Sequence, residues 1–409
     1  MSKIFNLKVD NGGIGVITFD VAGDAMNTWT DAAFKDFDEI IGELAKTPDL
    51  KGIIFISGKP DNFLSGANLK MISDIEKAED VRQMLDLFHG SFAKLNAFHY
   101  PAIAAIHGHC LGGGLEFALA CTARIAKEGK TTLIGLPECS VGLFPGGGGT
   151  QRLPRLIGYP ALEMILKGTM MPAAKAYEAG IVDRLVPADG DLLAEAKKFL
   201  LEVIAGTAGL KRPVHDFSQI DAVAEMAQQG ILKATKGRYI PGLMLALKSI
   251  HEGLKVSLEK GLELEKANFA EVVLTHQAKG SINTFFIKGM TDKPKAMMTK
   301  GFQPKPLNRA AILGFGTMGR GIAIDILRNT QIPLLVKDIP EALEPGKAFV
   351  RKILDGMAEK KRIKEPVDSI MARLTAVSEY SDAFKNVDIV IEAVFDDIKV
   401  KEQVYEELC

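Results

Sequence analysis

Two glutamates and a scatter of glycines are the residues of this chain whose types and surroundings could do chemistry. Gly112, Gly113 and Gly114 run directly into Leu115 and Glu116. If a helix starts inside those glycines, its unpaired amides and positive dipole end face whatever lies above the loop. Glycine has no Cβ, so a ligand oxygen can approach the amides closely, and Glu116 falls about one turn into the helix. The result is an anion-stabilising amide beside a carboxylate able to move protons. A second carboxylate, Glu138, follows Pro137, which restrains the approach of the chain. Ser65, Gly66, Ala67 and Asn68 offer another glycine-flanked amide, that of Ala67, and a glycine-rich loop at residues 145–150 comes soon after Glu138. Taken singly, each piece has an ordinary structural reading, as a tight turn before a helix or a Pro-Glu pair on a surface.

The elements that must position these groups follow from periodicity. Alternation at residues 14–19, helical spacing at 30–45 and the apolar runs 52–57 and 101–106 predict strand, helix, strand and strand. A helix over 113–121, a strand over 131–134, short helices over 160–167 and 172–179, and a strand over 181–186 complete the first segment, residues 1–190. Strands alternating with helices make it α/β. Residues 191–289 then show helical spacing with few β-branched runs, and residues 291–307 carry prolines and lysines, so 191–307 reads as a helical block ending in a linker.

A second α/β domain is expected over 308–409, with a strand at 309–313, a helix to about Asn329, a strand at 333–336, a helix over 346–364, a strand at 388–394 and an amphipathic stretch at 398–408. The cluster at 359–364 reads as a solvated helix face. Gly314, Gly316 and Gly319 form GxGxxG between the first strand and the helix, and Asp338 ends the next strand. Glycines there permit a tight turn and close approach of a pyrophosphate, while the acidic residue can bind ribose hydroxyls, which favours NAD over NADP.

The order of loop amide, buried strand, glycine run with Glu, Pro-Glu and glycine loop resembles the enoyl-CoA hydratase, or crotonase, family from Ile14 to about Val186. The matching stretches are NFLSGANLK (62–70), PAIAAIHGHCLGGGLE (101–116) and GLPECSVGLFPGGGGTQRLP (135–154). The resemblance implies a ββα superhelix, a coenzyme A thioester as substrate, an oxyanion hole made by the amides of Ala67 and Gly113, and proton transfer by Glu116 and Glu138. It departs from the common pattern at Asn68, where many relatives carry Asp. The expected reaction is hydration of a 2-trans-enoyl-CoA, with 3-enoyl isomerase activity on the same groups. Another acyl-CoA reaction of the same fold, or a non-catalytic role in assembly, is the alternative.

Residues 309–409 resemble the NAD-binding domain of 3-hydroxyacyl-CoA dehydrogenases, through GFGTMGRGIA (314–323), LVKDI (335–339) and IEAVFDDIKVK (391–401). By that likeness Met318, Asp338, Val394, Phe395, Asp396 and Lys401 line the cofactor site, with Asp396 standing where many relatives have Glu. The family's substrate serine, catalytic histidine and helical second domain fall beyond the point matching Cys409. NAD binding without dehydrogenase turnover is therefore expected, in an incomplete Rossmann domain. The whole order resembles the multifunctional α-subunits of bacterial fatty acid β-oxidation complexes, of which these residues match the amino-terminal part, and a thiolase β-subunit is the implied partner.

Bulk composition sets limits on the rest. The 409 residues are 47% hydrophobic, and 50 Lys plus Arg against 51 Asp plus Glu leave a net charge of -1, so no global field draws the chain to nucleic acid or an anionic membrane. Four cysteines without a CxxC pair, and no leader-like amino terminus, lead to the expectation of a reduced cytoplasmic setting. The apolar stretch 101–126 contains His107, His109 and Glu116 beside glycines, which suits a strand, loop and core helix rather than a membrane span. His107 and His109 lack a third ligand at suitable spacing, so no metal is assigned. Lys70 is read as a surface lysine, with contact to a coenzyme A phosphate as the alternative.

Overall fold

Apolar runs with no polar face, such as Gly52–Ser57 (GIIFIS) and Ala102–Ile106 (AIAAI), form strands covered on both sides. They sit at the centre of a six-stranded sheet in the order Phe5–Val9, Ile14–Phe19, Gly52–Ser57, Ala102–Ile106, Ala123–Lys127, Arg184–Val186. The first pair is antiparallel and every later pair parallel. The computed structural model describes residues 3–291 and 305–408, in two compact units, Met1–Lys293 and Pro294–Cys409. The expected linker at 291–307 falls mostly on residues 292–304, outside the described residues.

A smaller sheet runs alongside, in the order Asn62–Leu64, His109–Leu111, Leu133–Gly135, Met170–Pro172. The chain visits the large sheet, then the small one, then a helix. Gly52–Ser57 leads to Asn62–Leu64 and on to helices, Ala102–Ile106 to His109–Leu111 and helix Gly113–Ala120, and Ala123–Lys127 to Leu133–Gly135 and helix Gly149–Ile157. This ββα repeat leaves no trace as a repeat of residues, because each turn of it packs different neighbours.

Aromatic rings fill the space inside. Phe37, Phe55, Phe92 and Phe117 are fully buried, each contributing roughly 1.5–3 kcal/mol relative to an exposed ring. Helix Asp31–Leu44 places Phe34, Phe37, Ile40, Ile41 and Leu44 on one buried face, and its N-cap Thr30 accepts from Ala33 N–H. Helix Ala78–Asn96 was not anticipated, although Val81, Leu85, Phe88, Phe92 and Leu95 are spaced as its buried stripe. On the opposite face of the sheet, Leu192, Phe199 and Leu200 of helix Leu192–Ile204 cover Ile54 and Ile103. The division expected at residue 190 is therefore not a seam in the packing, since the helices up to His276–Thr291 belong to the first unit.

Several boundaries shift for local reasons. The strand expected over 131–134 is Leu133–Gly135, and that over 181–186 shortens to Arg184–Val186 because Ile181 and Val182 N–H both donate to Ala176 O, at 2.9 and 3.2 Å, closing the preceding helix. In the second unit the helix expected over 346–364 is Pro340–Glu359. Pro340 opens it, where a missing N–H costs nothing, and Lys361 at φ 54° lies past its end. The charged cluster at 359–364 is thus a helix terminus and turn, not a helix face. The second unit is a parallel sheet in the order Leu374–Val377, Leu334–Lys337, Ala310–Leu313, Ile389–Glu392, with Phe315, Val350 and Leu354 buried under its helices. Among the described residues no helix is long and apolar enough to cross a membrane.

Candidate active site

Gly113 is the first residue of helix Gly113–Ala120, so its N–H has no acceptor inside the helix. Gly112 before it adopts φ 55°, ψ -129°, a conformation closed to other residues. Ala67 lies in the loop after strand Asn62–Leu64, and its N–H makes no backbone hydrogen bond among the described residues. The two segments touch: a Cβ on Gly66 would stand 3.1 Å from Gly113 N. Ala67 and Gly113 both line one cavity of about 520 Å³, whose walls are chiefly apolar and include Trp29, Ile72, Leu85, Phe88 and Phe285.

Glu116 and Glu138 open on the same cavity. Glu116, only 3% exposed, accepts Gly147 N–H and Gly149 N–H on Oε1 at 2.7 and 2.8 Å. Its Oε2 has no hydrogen-bond partner among the described residues. Burial pushes its carboxyl up to about 7, against those two donors and the Arg152 guanidinium, which favour the charged form. Glu138 begins a single 3₁₀ turn, Glu138–Val141, and a Cβ on Gly112 would stand 3.0 Å from its Oε1. Its Oε2 is shut from solvent, with no hydrogen-bond partner among the described residues. Burial first, then the charges of Glu116 and Glu265, hold Glu138 well above the usual carboxylate range. The environments differ: Glu116 has two loop amides as donors, whereas for Glu138 only its own backbone amide favours the ionised form.

Tertiary structure brings in two groups that the sequence reading missed. Trp29 is fully buried, donates its indole N–H to Gly113 O at 3.2 Å, and pairs through its backbone with residues 66–68. Glu265, on helix Leu258–Val273, is also fully buried, among Gly261, Asn268, Phe269 and Val272. The signal for it was a charged residue standing on the buried stripe of an amphipathic helix. His107 Nε2 faces Lys59 O at 2.5 Å, and among the described residues no group of three His, Cys, Asp or Glu is placed to hold a metal. Lys70 pairs with Asp74 at 3.3 Å on the surface.

In the second unit the glycine run meets the strand-order reversal, between Ala310–Leu313 and Ile389–Glu392. Gly314, at φ 98°, lies so close to Ala393 that a Cβ would come within 2.4 Å of its carbonyl, and a Cβ on Gly319 would fall 1.9 Å from Gly314 O. Above Gly316 the space is open. Asp338 accepts Phe315 N–H at 2.5 Å. Met318 and Phe395 are exposed, Val394 N–H donates to Glu392 at 2.8 Å, and Lys401 bridges Glu392 and Asp396 at 3.3 and 3.1 Å.

Residues 10–217 match the model of the enoyl-CoA hydratase/isomerase family, and residues 309–409 that of the 3-hydroxyacyl-CoA dehydrogenase NAD binding domain. The fatty acid oxidation complex subunit alpha of Shewanella putrefaciens is 36% identical over the whole of this chain, which spans 58% of that protein's length. Among solved structures, a carnitinyl-CoA dehydratase from Mycobacterium thermoresistibile shares the fold at a TM-score of 0.55 and 19% identity, over 70% of this chain and 90% of its own. Human mitochondrial delta3-delta2-enoyl-CoA isomerase does so at 0.52 and 19%, over 71% and 99%. The match of residues 10–217, half of the chain, places it in the enoyl-CoA hydratase/isomerase family.

Proposed function

We propose that the chain adds water reversibly across the double bond of a 2-trans-enoyl-CoA. The observation that carries this reading is the placement of Glu116 and Glu138 on one apolar cavity that Ala67 and Gly113 also line. With the thioester oxygen between those amides, attack of water at C3 builds enolate charge where two fixed donors meet it. Each such donor is worth on the order of a hundredfold in rate. Glu116 takes a proton from the attacking water as the C3–O bond forms, and Glu138 gives its proton to C2 as the double bond opens. Return of the proton from Glu116 to Glu138 closes the cycle. The same enolate supports movement of a proton between C2 and C4, which is the isomerase activity.

The carboxylate environments support the assignment. Glu116 has two loop amide donors and Arg152 to favour its ionised form, whereas Glu138 has only its own backbone amide and sits beside other carboxylates. The test is loss of enoyl-thioester absorbance with crotonyl-CoA. Glu138→Gln should lower kcat by on the order of a thousandfold while butyryl-CoA still binds, the range general acid-base groups contribute. Undiminished turnover would sink the assignment.

The second unit fits a dinucleotide: open space above Gly316, close backbone packing at Gly314 and Gly319, and a carboxylate at the end of the second strand. Gly314, Gly316, Gly319 and Asp338 would hold NAD, with Met318, Val394, Phe395, Asp396 and Lys401 around it. Bound there, NAD supplies redox chemistry. The name of the Shewanella relative, a complex subunit, supports a partner subunit; that this partner is a thiolase β-subunit is our proposal, which co-purification with a purified thiolase tests.

A further inference from the structure

The glycine loop that holds Glu116 is itself held from its other side. Gly147 and Gly149 N–H donate to Glu116 Oε1 at 2.7 and 2.8 Å, while Gly148 N–H donates to Glu265 Oε1 at 2.6 Å and Thr150 N–H to Glu265 Oε2 at 2.9 Å. Four successive amides thus alternate between two carboxylates. The Thr150 hydroxyl also donates to Glu265 Oε2 and accepts Gln151 Nε2–H at 2.9 Å. One residue earlier, His89 Nε2–H donates to Gly146 O at 2.8 Å, and the same nitrogen lies 4.0 Å from Glu265. Glu265 comes from helix Leu258–Val273, beyond the residues matched to the family model.

A fully buried carboxylate is costly unless its lone pairs are met. Here three donors meet them, and all three belong to residues 148–150 of the loop. Joining a helix to a loop needs no charge, since apolar contacts such as Phe144 on Phe269, with ring centroids 5.5 Å apart, already do so. What the two acceptor oxygens of Glu265 add is direction. Each peptide plane is rigid, so drawing the 148 and 150 amides towards Glu265 turns those of 147 and 149 towards Glu116. Released from Glu265, the loop can rotate, and Glu116 loses the donors that fix its side chain and favour its ionised form.

We propose that Glu265 is a positioning residue: acting through the amides of residues 147–150, it fixes Glu116 with Oε2 free for the attacking water. The inference rests on the hydratase reading above. Its effect falls on the reacting geometry and not on the acyl-CoA contacts proposed at Ala67 and Gly113, which among the described residues make no hydrogen bond to the loop 147–150.

The experiment compares the wild-type chain with Glu265→Gln and Glu265→Ala, measuring kcat and KM for crotonyl-CoA hydration, the dissociation constant of butyryl-CoA by calorimetry, and thermal melting. Glu265→Gln fills the same volume but presents an NH₂ group to one of the loop donors. Both variants should lose kcat by on the order of a hundredfold, as a displaced catalytic group does. KM and butyryl-CoA affinity should stay within about threefold of wild type, as expected when only transition-state interactions are lost. Folded variants with lowered melting temperature and wild-type kcat would show Glu265 to be a structural tie and overturn the proposal. Should neither fold, Thr150→Val decides: it removes one donor to Glu265 and should lower kcat by about fivefold at unchanged KM, and unaltered kcat there overturns the proposal equally. A wild-type chain without turnover overturns the hydratase reading and this inference with it, whereas turnover insensitive to all three substitutions overturns this inference alone.

Discussion

The Trp29 indole N–H donates to Gly113 O at 3.2 Å, and the Trp29 backbone is paired with the loop that carries Ala67. One residue, through its side chain and its backbone, therefore ties together the two segments that carry the amides of Gly113 and Ala67. Trp29 N–H donates to Gly66 O at 2.8 Å and Asn68 N–H to Trp29 O at 2.9 Å, so the Ala67 N–H is left pointing away from that ladder. Phe34 stacks on the indole at 5.2 Å and Phe88 meets its edge at 5.1 Å, fixing the ring from both sides.

Trp29→Phe keeps an aromatic ring in that stack but removes the donor. Stability should fall by about 1–3 kcal/mol, the cost of a lost buried hydrogen bond. Because the spacing of the oxyanion donors relaxes, kcat should fall by on the order of tenfold or more. Urea denaturation and crotonyl-CoA kinetics on the same preparation check both parts.

Gly112→Ala places a Cβ 3.0 Å from Glu138 Oε1 in a residue at φ 55°. The strained backbone costs on the order of 1–3 kcal/mol. To relieve it, either Glu138 or the Gly113 amide must move, so hydration should be nearly lost in a variant that still melts cooperatively. Circular dichroism melts beside activity measurements distinguish this from simple unfolding.

The pH dependence follows from the buried carboxylates. Glu116 is pushed up from 4.5 to about 7 and Glu265 to about 8, both mainly by burial, and Glu138 higher than its usual range for the same reason. Between about pH 4.5 and about pH 8 the folded chain holds protons that the unfolded chain has released. Their contribution to stability is fully present below the unfolded value and is lost as pH rises through the folded values. Glu138→Gln, neutral at every pH, escapes its share of that loss. Its melting temperature should gain on wild type as pH is raised from about 5 to about 8.5, and a gap constant with pH would contradict the assignment. Wild-type hydration should rise with pH towards about 7, as Glu116 ionises.

For the second unit, Asp338 both ends strand Leu334–Lys337 and anchors the glycine loop through Phe315 N–H. Asp338→Ala should weaken NAD binding by about tenfold, or about 1.4 kcal/mol, in calorimetric titrations. Unchanged affinity would remove Asp338 from the cofactor site.

Much of this was legible in the residues themselves. Period and composition determined the main strands, the helices Asp31–Leu44 and Gly113–Ala120, and the strand, glycine loop and helix of the second unit, because those patterns report local burial. Gly113 and Glu116 were legible as candidates because a glycine run before a helix exposes amides whatever the rest of the chain does, and Glu138 through the resemblance to a family. Only the tertiary structure decided which carboxylate has loop amides as donors, since that depends on a loop folding back over Glu116. It alone tied Trp29 to both amide-bearing segments and carried Glu265 from a distant helix to that loop. Such contacts join residues far apart in sequence, and no local period records them.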